Sequence, residues 1–358
     1  MTHPVLFIPG PVEVDPELRE IMAMPAIGHR SKAAKECFGR LAPRLRELFR
    51  TEQHAFFENA PATALMEATI RNLVRSRVLH VTSGAFGDRW AEISKACGRS
   101  PVTVSSPWGE SVTPAQLREA LEKASEPYEV VCITHNETST GMLCDLRSLC
   151  AVVTSVSPNS LICVDVVTSL GGAEFAFDEW GIDVAFAGTQ KCLALPPGIC
   201  LFALSQRAVE RAATVEGRGF LIDFAATPSR AAKNEPPATP CVPLLFALER
   251  QLERIAAEGY ANRFARHRTM RDRTIAWAER HGYAPFVGDA ALRSPTVSAL
   301  RADAATTEAL IAAGKAGGFT ISKGYGKIAS ETFRIGHMGD HDLPRLDRLL
   351  AALSDRKG

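Results

Sequence analysis

The chain has 358 residues, of which 46% are hydrophobic and 23% charged, and its formal net charge is +1. That length is enough to bury a large core and suggests two domains, or one large domain with an appendage. A charge so near zero offers no general attraction to nucleic acid or to an anionic membrane, so any anionic ligand needs a local site.

Residues 7–16 are too rich in proline for regular structure and read as an extended arm, ending where Pro16 can open a helix over 17–23. Residues 25–31 form a second irregular stretch, in which His29 and Arg30 follow a glycine. It reads as a surface loop or as an edge of a substrate pocket, in its own subunit or in a partner's. Helical spacing covers 33–50, and 54–57 is a short strand. From Glu58 the pattern is a strand end, a turn of small residues and a helix running to residue 74. The free N–H groups at that helix start, with the Thr63 hydroxyl, make a candidate phosphate cradle, although an ordinary capped helix has the same pattern.

Residues 77–82 form a strand, and the turn after it sets Phe86 between Gly84 and Gly87. The ring suits stacking on a flat heterocycle, or else it fills core. A short strand begins at Val102, a helix covers 114–124, and the strand 129–134 ends in the polar turn 135–141. A helix over 145–155 leads to the apolar strand 160–165, whose last residue is Asp165. The next apolar run, 181–188, ends in Thr189-Gln190-Lys191, and Leu195-Pro196-Pro197-Gly198 closes it. Strands alternating with helices predict a mostly parallel sheet covered on both faces. Ligands of such sheets sit at the carboxyl ends of the strands, which is where Phe86, Thr138, Asp165 and Lys191 fall.

An ammonium group in an apolar setting is costly to keep charged, and a free amine beside a bound aldehyde forms a Schiff base. A carboxylate across from it holds a pyridine nitrogen protonated, so Lys191 and Asp165 together have what pyridoxal phosphate (PLP) requires. Taken singly, the lysine reads as a solvated loop residue and the aspartate as a helix cap.

Residues 199–204 read as a strand, 217–240 as irregular, and 243–281 as one long helical segment. Beyond Gly282 come strands at 296–300, 319–322 and 332–336 and helices at 306–316 and 342–354, the pattern of a small α+β unit. Arg334 alternates with Phe333 and Ile335 and so faces away from them, as an exposed edge charge or as a bidentate carboxylate clamp. The nine cysteines form no CxxC pair, which predicts reduced thiols and a cytoplasmic protein without a disulfide framework or a metal site. No run approaches the roughly 20 apolar residues of a membrane span, and the N-terminus lacks the form of a signal peptide.

Together these stretches resemble the class V aminotransferases of fold type I, PLP enzymes near alanine:glyoxylate and serine:pyruvate aminotransferases. The resemblance rests on Pro9-Gly10-Pro11, residues 134–141, Val164-Asp165-Val166-Val167-Thr168-Ser169, Gly188-Thr189-Gln190-Lys191-Cys192-Leu193, the Thr239-Pro240 turn and Phe333-Arg334-Ile335-Gly336. It implies an α/β fold with an arm (1–16), a large domain (17–260) around a mostly parallel seven-stranded sheet, and a smaller C-terminal α+β domain (261–358). Lys191 would carry the Schiff base and shuttle a proton, and Asp165 would pair with the pyridinium nitrogen. Val167 would pack on one ring face, Phe86 would stack on the ring, and Thr138 would sit near it. Ala62, Thr63 and Gln190 would hold the phosphate, and Thr239 would reach it from the other subunit of a homodimer with shared sites. Arg334 would bind the substrate carboxylate, with Gly10 and His29 at the substrate edge.

The sequence departs from the family pattern in its phosphate turn, Asn59-Ala60-Pro61-Ala62-Thr63, which lacks the usual glycines. Phe86 stands where Trp is common, and Pro236 where some relatives have tyrosine. The implied activity is ping-pong transamination from a small amino acid such as alanine or serine to a small 2-oxo acid such as glyoxylate or pyruvate. Its rivals are a desulfurase or β-lyase of the same fold, which usually has histidine where Gln190 stands, and a non-catalytic class V homologue. A nucleotide-binding protein would need GxGxxG or GxxxxGK[ST], and neither is present.

Overall fold

The structure is a computed structural model and describes residues 3–354. Seven strands build the central sheet: β1 (His54–Glu58), β2 (Arg77–Thr82), β3 (Ser100–Ser105), β4 (Val130–Thr134), β5 (Leu161–Asp165), β6 (Val184–Gly188) and β7 (Cys200–Leu204). Their order is β1-β7-β6-β5-β4-β2-β3. Every neighbouring pair is parallel except those of β7, which runs antiparallel to both β1 and β6. β4 to β7 are buried along their whole length, and successive side chains feed two different cores. Val131, Ile133, Ile162, Val164, Ala185 and Ala187 pack under the helices Lys32–Phe49, Leu146–Val156 and Val242–Glu258. Val130, Cys132, Leu161, Cys163, Val184 and Phe186 pack under Ala62–Leu73 and Ala85–Ala96. The outer strand β3 carries Pro101 and mostly solvent-facing residues, which suits an edge that must not pair further.

A second sheet holds β8 (Val297–Arg301), β9 (Ser322–Lys323) and β10 (Thr332–Gly336), with β10 in the middle. The middle position overturns the reading of Arg334 as an exposed edge charge: Phe333 and Ile335 are fully buried, and Arg334 on the other face is only 8% exposed. The apolar stretch at 319–322 is not one strand. Phe319–Thr320 pairs in parallel with Val5–Leu6 of the arm, while Ser322 belongs to β9. The arm therefore lies against the chain's own C-terminal part, and the backbone of Gly336 touches it closely enough that a Cβ there would come within 2.3 Å of the Ile8 carbonyl.

The long helical segment is two helices, Val242–Glu258 and Tyr260–Arg280, separated at Gly259, whose φ of 81° breaks the helix. Just past the break Arg263 is 2% exposed and spends its guanidinium on four partners. It donates to the carbonyls of Gly171 (3.1 Å) and Cys192 (2.7 Å) and to the carboxylates of Glu258 (2.8 Å) and Asp340 (2.8 Å). Gln251 and Arg254 of the preceding helix also donate to Asp340. One buried cation thus ties both helices to the loop after Lys191. Removing it leaves two carboxylates short of a partner, which costs about 3 kcal/mol. Arg263→Met should lower stability by that amount in urea denaturation, and a loss below about 1 kcal/mol would show that the network is dispensable.

Candidate active site

The carboxyl ends of β4, β5 and β6, with the starts of two helices, enclose a cavity of about 160 Å³. Ala62, Thr63, Gln190 and Lys191 line it, and so do Phe86, Thr138, Asp165 and Val167. Eight residues singled out in the sequence are thereby brought together from five separate stretches. Gly10 lies beside them: a Cβ there would fall within 2.9 Å of Lys191 Cδ, Cε and Nζ, and its φ of 95° suits glycine alone. Arg334 is not in the cavity wall but donates to the Thr138 carbonyl at 3.2 Å. His29, half-buried in the turn before the helix Lys32–Phe49, is not brought to this cavity. Thr239 is exposed and also outside it, its carbonyl accepting from Asn59 Nδ2 at 2.8 Å.

Lys191 follows β6 in a loop pinned by Thr189, whose hydroxyl donates to Pro196 O at 2.6 Å. Ala194 takes a left-handed φ of 51°, and its N–H returns to the Lys191 carbonyl at 2.9 Å. Lys191 Nζ donates to the Pro9 carbonyl of the arm. Burial, with Arg334 adding to it and Cys192 and Asp165 opposing it, brings the ammonium down to about 8. Asp165 ends β5, and its Oδ1 accepts from the Val167 N–H at 2.8 Å. Burial raises this carboxyl to about 7, with Glu137 adding to the shift and the Val167 N–H, Lys191 and Arg89 opposing it. A carboxyl and an amine both drawn toward neutrality, lining one cavity, are matched to groups that share or exchange protons near pH 7. Burial also lowers Arg334, to about 10, which leaves it a cation at neutral pH.

The helix start that the sequence offers as a candidate phosphate cradle has a structural feature that suits an anion. The helix Ala62–Leu73 begins after Pro61 with no side-chain cap, so its first N–H groups face the cavity without a built-in acceptor. The unusual turn before it is held by Asn59, whose side chain also accepts from Cys241 N at 3.1 Å.

Two important residues escaped the sequence reading. Glu137 is 1% exposed and accepts from Phe86 N (3.0 Å), Gly87 N (3.2 Å), Ser139 N (3.0 Å) and Ser139 Oγ (2.6 Å). It caps the helix that carries Phe86 and thereby fixes the ring. Asn136 lines the cavity at 3% exposure, and neither atom of its carboxamide has a hydrogen-bond partner. An orphaned amide is costly to bury and calls for a ligand that offers both a donor and an acceptor. The turn 135–141 was itself the signal, since so many polar residues directly after a buried strand need partners.

The profile of the family Aminotransferase class-V matches residues 83–322. An L-aspartate–glyoxylate aminotransferase of Paracoccus denitrificans is 34% identical over 93% of this chain and 86% of its own. A serine–glyoxylate aminotransferase of Methylorubrum extorquens is 28% identical over 94% and 86%. The crystal structure of an alanine–glyoxylate aminotransferase from Nostoc sp. superposes with a TM-score of 0.91 at 29% identity, covering 99% of this chain and 95% of that one. With the sheet order, the lysine–aspartate cavity and these likenesses in agreement, the chain belongs to the class-V aminotransferase family.

Proposed function

We propose that this cavity binds PLP and moves an amino group from a small amino acid to a small 2-oxo acid in two half-reactions. The observation that carries the proposal is the meeting of Lys191, Asp165 and an uncapped helix start in one cavity. The cofactor fits what is there: an anion acceptor at Ala62 and Thr63, a buried carboxyl for a ring nitrogen, and the unpaired Asn136 amide in the same cavity. PLP when bound supplies an aldehyde carbon and an electron-accepting ring. Lys191 contributes an amine that burial has brought close to its free form, and it is placed to hold or pass a proton. Phe86 and Val167 are suited to confine a flat ring, and Arg334, with Nε donating to Lys323 O and Nη1 to Thr138 O, offers its remaining N–H groups and its charge to a substrate carboxylate. The acceptor class, glyoxylate or pyruvate, is read from the relatives. Against a desulfurase, no cysteine lines the cavity, and the Cys192 thiol, pushed up to about 12 by burial, donates instead to Thr168 O at 3.3 Å.

For the donor, alanine and serine are the first reading. Aspartate is the second, favoured by Arg89, which lines the cavity, donates to Tyr325 Oη at 2.7 Å and has no ion pair among the described residues. The same reading divides the chain into arm, large domain and small domain with a boundary near residue 260, on the strength of the helix break at Gly259. It makes the protein a cytoplasmic homodimer, with Thr239 and His29 serving the partner's site. Among the described residues no helix is long and apolar enough to cross a membrane.

Borohydride reduction of the protein with PLP should fix the cofactor to the peptide containing Lys191 and to no other. The rate of attachment should rise with pH through about 8, because the neutral amine is the reactive form and its pKa lies there; a midpoint near that of an ordinary lysine, about 10.4, would sink the assignment. Arg334→Met should raise KM roughly 10- to 100-fold for every carboxylate substrate, in a screen of alanine, serine and aspartate against glyoxylate and pyruvate. A rise for one substrate alone would move the clamp elsewhere, and aspartate turning over no better than alanine would remove the second donor reading. Dilution that dissociates the dimer should release PLP, and a fully loaded monomer would refute a shared site.

A further inference from the structure

Behind the active-site wall lies a second cavity, of about 380 Å³, within the size range of small-molecule sites. His135 and Asn136 are consecutive residues at the end of β4, yet Asn136 lines the first cavity and His135 the second. His135 is 3% exposed, and its Nδ1 has no hydrogen-bond partner. Burial pushes its imidazole down to about 3, with Asp145 opposing the shift, so the ring is neutral at pH 7 and can present Nδ1 as an N–H donor.

Several of the other lining residues are cationic. Arg268 and Arg271 come from the helix Tyr260–Arg280, and Arg293 follows the short turn Ala290–Leu292. Arg271 is paired with the adjacent Asp272. Arg268 has no hydrogen bond or ion pair among the described residues, and Arg293 donates only to the carbonyls of Val287 and Gly288. The lining also holds three acids, each with a partner: Glu174 and Glu179 pair with Arg50, Glu179 pairs as well with Arg147 of the same lining, and Asp145 caps Ser148 N at 3.2 Å. Two guanidinium groups therefore line the cavity without a carboxylate of their own, and His135, whose buried Nδ1 lacks an acceptor, lines it too.

We propose that this cavity is a second binding site, for a small anion of carboxylate or phosphate chemistry held by Arg268, Arg293 and His135. Its position joins it to the first site. The His135 N–H donates to the Asp165 carbonyl at 3.0 Å, and the His135 carbonyl accepts from Cys144 N at 3.0 Å. An anion seated on His135 therefore bears on the residue whose N–H holds the Asp165 carbonyl and whose own carbonyl leads into Asn136.

Calorimetric titration of the PLP-loaded protein, with inorganic phosphate and separately with malonate, tests the site and tells the two chemistries apart. Saturable binding of either anion is expected. In protein that already carries Arg334→Met, which removes the carboxylate clamp of the first site, the binding should persist, and it should weaken by roughly tenfold or more when Arg268→Met/Arg293→Met is added. Arg268 is exposed and Arg293 half-buried, so the double variant leaves the core intact, and circular dichroism verifies this. Binding of neither anion would mean that the cavity holds water alone, and binding undiminished in the double variant would place the anion elsewhere. Either result overturns the proposal.

Discussion

The organising constraint is the desolvation of two opposite titrating groups in one small space. Asp165 ends β5 and Lys191 lies in the loop just after the neighbouring strand β6, in a sheet buried on both faces, so each is denied the water that would stabilise its charge, and each moves toward the neutral form. A pair of this kind is a poor stabiliser of the fold, because burial costs at least as much as the mutual attraction returns. It is retained where a ligand completes it. The uncapped helix at Ala62 and the unpaired Asn136 amide are incomplete in the same sense, and all four lie on one cavity.

Holding such groups in place requires rigid supports that are themselves satisfied. Glu137 provides one, by taking four donors and locking the helix under Phe86. Arg263 provides another, by joining the loop after Lys191 to the loop after Asp165. The N-terminal arm is a third: it is seated by its pairing with Phe319–Thr320, and it delivers the Pro9 carbonyl to Lys191 Nζ and the bare backbone of Gly10 to the lysine chain. The supports come from the first, middle and last parts of the sequence, so a defect in any of them reaches the same amine.

The alternation of side chains at the end of β4 gives the sheet edge two faces, and both carry unsatisfied polar groups. Asn136 faces the lysine, and His135 faces a basic cavity formed with the helix beyond Gly259. A single peptide thus separates the two spaces: its carbonyl, that of His135, accepts from Cys144 N, and the N–H just before it, that of His135, is held by the Asp165 carbonyl. Any force on one face is transmitted over one residue, without a long relay.

Local pattern alone was enough to mark the strand runs, the positions of Lys191 and Asp165 at strand ends, the helix start at Ala62 and the facing of Arg334, because apolar periodicity and turn residues act over a few residues. It did not reveal the break at Gly259, since a lone glycine is tolerated within many helices, nor the division of 319–322 between two sheets. Whether Arg334 was an exposed edge charge or a buried clamp depended on β10 being the middle strand, and strand order is decided by pairings between distant segments. The surroundings of Glu137, Asn136, Arg263 and His135 were also decided only by folding. A polar residue in a turn has no partner until the chain returns to it, and whether burial leaves it satisfied or orphaned is a property of the packed molecule.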